Sequence, residues 1–220
     1  YRTENHMLSI GKKRDVSSFR GYGTYRHNME LKKAGDSGLT EELIKTGRIG
    51  KVFSDVPSSA IRCSIFKNMT SKNITTIDHI YMQGMYEYEE SFNAFNWQIT
   101  AETDTINNYV CQKAICDFGG RTWEAWFTSE LPFSDGPYKF CGLPGLILNV
   151  ADRENHYSWK FLSIERPSEL MMVYEVINDR IQTTKEGFFK LQKRYKVSHT
   201  IGDATTNNDF VKKAVEYERA

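Results

Sequence analysis

Several familiar signatures of function are missing from this chain. It has no stretch of about 18 apolar residues, so no membrane-spanning helix is expected. Neither sign of charge is in excess, with 29 Lys and Arg against 28 Asp and Glu. A net charge of +1 offers no basic footprint for nucleic acid or an anionic membrane surface. Walker-type and dinucleotide-type glycine loops are absent, as are an H-E-x-x-H pair and a G-x-S-x-G elbow. The histidines His6, His27, His79, His156 and His199 are scattered. A catalytic triad assembled in space from distant residues nevertheless stays open. The four cysteines, Cys63, Cys111, Cys116 and Cys141, form no C-x-x-C pair, which argues against a structural zinc site. No metal and no cofactor is expected. An even cysteine count fits one or two disulfides in an oxidising compartment. The other reading is four small buried hydrophobes.

What is present suits a folded domain. Hydrophobic residues make up 40% of 220, enough for a core, and one domain over residues 1–220 is the natural prior. The 12 Tyr, 13 Phe and 4 Trp favour strands. The chain begins at Tyr1 without an apolar leader and reads as a processed form.

Strands are expected at Met7–Ile10, Ala60–Lys67, Ile74–Tyr81, Met85–Glu90, Phe95–Thr100 and Leu170–Val176. Gly11-Lys12-Lys13-Arg14 reads as a solvated basic turn, and Ser17–Ala34 as a surface segment, helical in part. Thr40–Thr46 reads as a short helix, and Asn208 as the cap of a last one. A capping box at Thr183 and Glu186 opens a helix with Phe188, Leu191 and Tyr195 on one side. Glu87, Glu89 and Glu90 read as a solvated strand face.

Two hairpins are legible in detail. A Gly119-Gly120 loop pairs Phe118 with Arg121, Cys116 with Trp123 and Ala114 with Ala125. One face then carries Val110, Ala114, Cys116, Trp123, Ala125 and Phe127, and the other Tyr109, Cys111, Lys113, Asp117, Thr122, Glu124 and Trp126. Cys111 and Cys116 lie on opposite faces and ~16 Å apart at ~3.3 Å per residue, so any bridge would run from one of them to Cys63 or Cys141. A second hairpin, Leu146–Ala151 with His156–Ile164, turns at Asp152-Arg153-Glu154-Asn155. It pairs Val150 with Tyr157, Leu148 with Trp159 and Leu146 with Phe161, with Ile147 and Asn149 on the opposite face.

Between the hairpins lies a distinctive stretch: Ala125-Trp126-Phe127-Thr128, Leu131-Pro132, Gly136-Pro137-Tyr138-Lys139-Phe140 and Gly142-Leu143-Pro144-Gly145-Leu146-Ile147. This stretch closely resembles the GLPGLI family of Bacteroidetes-type bacteria, and flanking pieces extend the resemblance from about Met7 to Leu191. The resemblance implies an exported protein of the periplasm, outer envelope or exterior, with no catalytic residues to carry over. The order of elements is also similar, more loosely, to LolA-like lipoprotein carriers. That implies a mainly β (α+β) fold, a curved antiparallel sheet forming a half-barrel with a few helices on one face.

Within the motif, Pro144-Gly145 suits a type II turn, which would give Gly145 a positive φ. The motif therefore reads chiefly as a folding device built on Gly136, Pro137, Gly142, Leu143, Pro144 and Gly145. Tyr138, Lys139 and Phe140, with Trp126 on the more polar strand face, are the candidate ligand-binding residues. The expected function is non-enzymatic binding of an apolar ligand, a peptide or an envelope protein. The alternatives are a hydrolase assembled from distant residues and a structural accessory of an outer-membrane complex.

Overall fold

A computed structural model describes residues 5–11, 16–21, 63–80, 83–92, 95–165 and 180–203. Among these the protein is mainly β, as expected, with two antiparallel-rich sheets that do not close into a barrel. The first sheet holds β1 (His6–Ile10), β2 (Val16–Gly21), β3 (Ser64–Asn68), β4 (Asn73–Ile80), β5 (Gly84–Ser91) and β11 (Arg180–Gln182), in the order β1-β2-β3-β4-β5-β11. Its β11 runs parallel to β5. The second holds β6 (Gln98–Ile106), β7 (Tyr109–Phe118), β8 (Arg121–Thr128), β9 (Leu146–Asp152) and β10 (Ser158–Trp159), in the order β10-β9-β8-β7-β6. Expectations at Thr40–Thr46, Leu170–Val176 and Asn208 lie outside the described residues.

Ser17–Gly21, expected at the surface, is instead the buried part of β2. The sequence pattern misleads here because β2 is covered on both faces: Ser18 and Arg20 are buried on one, Phe19 on the other. Asn68–Asn73 does turn, with Asn68 Oδ1 accepting from the N–H groups of Thr70 and Ser71 at 3.0 Å.

The β7–β8 hairpin has the expected register, including Phe118 opposite Arg121 and Cys116 opposite Trp123. Gly119 and Gly120 both take positive φ (60° and 74°), as a type I′ turn requires. Ala114, Cys116, Trp123, Ala125 and Phe127 are all buried in one core. Val110 lies on the same face by alternation but is 62% exposed. The β7–β8 ladder begins only at Gln112, and the Val110 N–H goes to Glu130 Oε1 at 2.9 Å.

The β9–β10 hairpin corrects two expectations. Trp159 pairs with Val150, not Leu148, because Asp152 extends the strand and its carboxylate accepts the Tyr157 N–H at 2.6 Å. An irregularity between Trp126 and Phe127 in the β8–β9 ladder also sets Phe127 opposite Ile147 and leaves Leu148 out of the pairing, as in a β-bulge. As a result Ile147 and Val150 join the Trp123 core, while Leu146 and Leu148 join a second core on the other face with Cys111. Trp126 packs against that second core, which Leu8 and Ile10 of β1, Leu131, Phe133 and Phe161 close.

One helix is described, α1 (Lys185–Asp203). Its cap is Thr184, one residue later than expected: Thr184 Oγ1 accepts the Gly187 N–H at 3.0 Å, while the Thr183 N–H completes the β11 ladder at Glu87 O. Phe188 is buried against Ile80, Tyr86 and Tyr88 of the first sheet, and Tyr195 packs beside them.

Candidate functional site

The signature stretch, residues 129–145, leaves β8 at Thr128 and re-enters the sheet at β9. Its side chains fill the space between the two sheets. Phe140 is fully buried and meets the rings of Phe95, Trp97, Phe118, Trp123, Tyr138 and Trp159, the nearest (Trp123) at 4.7 Å. Leu143 joins the same core, and Cys141 packs with Phe19, Ile65 and Ile74 of the first sheet. The loop thus joins the two sheets, beside the direct contacts of Leu8 and Ile10 with the Cys111 core and of Trp159 with the Phe19 cluster. Of the four candidate ligand-binding residues, Lys139 and Phe140 are buried, while Tyr138 and Trp126 are half-buried.

A loop this deep needs partners for its backbone. Lys67 of β3 supplies one set, and it is fully buried. Its ammonium makes a 2.5 Å ion pair with Asp135 and donates to Gly136 O at 2.6 Å and Phe140 O at 3.2 Å. Three acceptors match the three donors of a lysine. The Trp97 indole N–H, donating to Cys141 O at 2.8 Å, supplies another.

Lys139 anchors the loop a second time. It pairs with Glu90 of β5 and lies 5.1 Å from the centre of the Tyr88 ring. Glu90 also takes Lys185, the first residue of α1, at 2.6 Å. One carboxylate therefore joins loop, sheet and helix. Burial alone would raise Glu90, but hydrogen bonds from Lys139 and Lys185 outweigh it and hold the carboxyl below its usual range. Burial pulls Lys139 down, partly offset by Glu90. On the opposite face of β5, Glu87 is buried against Arg180 (2.6 Å) and Gln182 (3.2 Å). The expected solvated acidic face is therefore corrected: Glu87 is buried, Glu90 is half-buried, and Glu89 alone is exposed.

The glycines of the motif act differently from expectation. Gly145 has no positive φ; Gly142 has one, at 95°. A Cβ at Gly145 would lie 2.1 Å from the Thr128 carbonyl oxygen, so glycine is required there by close approach to β8. The Gly145 N–H bonds Leu143 O at 2.8 Å, a three-residue turn about Pro144 in place of the type II turn. Tyr138 takes a left-handed φ of 53°, rare for an aromatic, and stacks on Trp159 at 5.6 Å.

All four cysteines are free, with Cys111, Cys116 and Cys141 buried and Cys63 half-buried, which favours the thiol reading. Cys111 and Cys116 lie in the two different cores. Burial pushes the thiols of Cys63, Cys116 and Cys141 up to about 12, which keeps them protonated and unreactive. Asp152, Glu154 and His156 bring possible ligand atoms within 4.8 Å of one another. The Arg121 guanidinium already lies 3.0 Å from Asp152 Oδ2 and 3.0 Å from His156 Nδ1, so a cation of the chain itself holds that position.

Sequence reasoning missed Lys67, Asp135 and Lys185, and read Glu90 only as part of a solvated face. The available signal was a lysine ending a strand that otherwise alternates apolar residues, which is costly unless paired.

A family model described as a protein of unknown function (Porph_ging) matches residues 120–149, the β8–β9 hairpin and the loop between its strands. No curated protein matches the chain. A solved structure of PNGF-II is similar in fold, with a TM-score of 0.52 at 12% identity over 86% of this chain. A second PNGF-II structure gives 0.47 at 14% identity over 83%. The matched region is 29% of that first PNGF-II chain and 28% of the second, so this chain corresponds to under a third of that protein. The structural likeness is thus to PNGF-II rather than to a lipoprotein carrier, while the open, mainly β sheets fit the expected fold class.

Proposed function

We propose that this chain is a non-enzymatic binding module of the periplasm or outer envelope that takes a polypeptide partner on its surface. The observation that carries this reading is the filled interior. A carrier of apolar ligands needs an open apolar cavity. Here the space between the sheets is occupied by Phe140, Leu143, Trp123 and Trp159 of the chain itself. Export rests on the resemblance of the signature stretch to an envelope family. The test is titration of the folded protein with an environment-sensitive apolar dye and with a long-chain fatty acid, followed by tryptophan fluorescence. The expected result is no saturable uptake. Stoichiometric uptake that quenches the tryptophans would overturn the reading and restore the carrier.

A second reading has one observation in its favour. An open cleft of about 490 Å³ is lined by Glu89, Glu90, Gln182, Thr183, Thr184, Lys185 and Glu186. Its lining includes the Glu90 carboxylate paired with Lys185, which suits a small polar ligand. Amide chemical-shift changes confined to residues 182–186 on adding such a ligand would favour it.

A further inference from the structure

We propose that β6 is a docking edge for an extended, basic segment of a partner polypeptide, an inference that rests on the polypeptide-binding reading above. β6 ends its sheet, and among the described residues no strand pairs with its outer side. It is nine residues long and exposed at all of them but Thr100 and Ile106, which are half-buried. The other sheet ends differ: β10 and β11 span two and three residues, and β1 is half-buried. Long edges are templates for strand addition; a bulge, charged side chains, lysine and proline are among the devices that blunt them, and below its bulge β6 keeps a regular stretch without the last two.

The geometry says which backbone groups are offered. The Asn107-Asn108 turn, with both φ values positive, closes a two-residue hairpin and makes Ile106–Tyr109 a hydrogen-bonded pair. Alternation then points the N–H and C=O groups of Thr103 and Thr105 away from β7. A bulge between Ile99 and Thr103 bends the strand above them, so the flat docking stretch is Thr103–Ile106.

Charge chooses the occupant. The strand holds Glu102 and Asp104 and no cation. Its neighbour Lys113 is already engaged by Glu102 at 3.3 Å and Glu124 at 3.1 Å. A second copy of this chain pairing antiparallel about Thr103 would set Glu102 against the copy's Asp104, and like charges directly opposite are destabilising. A strand bearing Lys or Arg at alternate positions is complementary. Asp104 also caps the Thr105 N–H through its own carboxylate at 2.7 Å. An incoming carbonyl takes over that N–H, and the released carboxylate meets the incoming cation. On the other face, exposed Val110 opposite Thr105 offers an apolar contact to a β-branched residue.

The probe is an end-blocked peptide of about eight residues, a usual strand length, alternating lysine with valine, with a glutamate-for-lysine counterpart. Binding is followed by calorimetry and by amide shifts of the labelled full chain. The lysine peptide should bind, shift Thr103–Ile106 and slow amide exchange at Thr105. Combined Glu102→Lys and Asp104→Lys should weaken it about tenfold or more and let the glutamate peptide bind instead. Thr103→Pro should abolish both; the charge-reversed variant keeps the backbone intact if Thr103→Pro fails to fold. A lysine peptide that binds but shifts residues elsewhere overturns the edge and leaves the polypeptide reading standing. Failure of both peptides overturns the edge, and if it comes with saturable dye uptake the polypeptide reading falls too.

Discussion

The two sheets solve the same burial problem with different chemistry. The inward face of β7, β8 and β9 is apolar: Ala114, Cys116, Trp123, Ala125, Phe127, Ile147 and Val150. The face of β3, β4 and β5 that meets the signature loop mixes Ile65 and Ile74 with Lys67, Thr76 and Glu90. An apolar face adheres to any apolar surface, whereas a face with a buried ammonium accepts only a partner that brings its carboxylate and carbonyls to the right places. The first sheet is therefore the selective one, and Asp135, Gly136 and Phe140 carry the matching groups. The signature loop is specified by the sheet it is not part of.

That contrast can be broken at its strongest point. Lys67→Met leaves Asp135 buried without its cation and should cost about 3–5 kcal/mol, measured by denaturant unfolding. Pairing it with Asp135→Asn should recover part of the loss. In the apolar sheet, Leu148→Ala should cost about 2–5 kcal/mol by cavity formation, with no recovery available from a partner and no dependence on pH. Glu90→Gln should cost about 1.5–3 kcal/mol at neutral pH, the range for hydrogen bonds to a charged group. Because the folded Glu90 carboxyl lies below its unfolded value of 4.5, its contribution is complete above that value and is lost as pH falls through the folded one. The parent and Glu90→Gln stability curves should therefore converge in acid. Gly145→Ala should cost about 1–3 kcal/mol through collision with Thr128 O, and Gly142→Ala about 1 kcal/mol through its positive φ. A ranking with Gly142 above Gly145 would mean that the backbone of β8 yields.

The β7–β8 hairpin was legible because a two-residue glycine loop permits one register and the flanking residues alternate cleanly. The next hairpin was legible as a hairpin but not in register. Asp152 closes it through a side-chain bond to the Tyr157 N–H, and the irregularity at Leu148 has no residue signature. β6 was expected at Phe95–Thr100, drawn there by aromatics; the strand itself is polar because both its faces meet water. The Lys67–Asp135 clamp joins residues far apart in the chain; a lysine ending an apolar strand signals that a partner is needed, but not which one. Gly145 was singled out correctly as constrained, for the wrong reason, since the backbone it must avoid is brought near only by the β8–β9 pairing. Candidate residues Lys139 and Phe140 drew notice for their chemistry, and their burial depends on contacts with β5 and with Trp123 that lie outside the motif.

The signature loop is interior, clamped between the sheets by Lys67 and Lys139. The most direct test is lysine reactivity measured residue by residue, using brief treatment with an amine-acylating reagent and peptide mapping. Lys185, whose side chain is 42% exposed, should react quickly in the native protein. Lys67 and Lys139, whose side chains are 0% and 4% exposed, should stay unmodified until denaturant unfolds the chain, and both should then react together. Native-state labelling of Lys139 at the rate of Lys185 would contradict the account and make the loop an open binding surface.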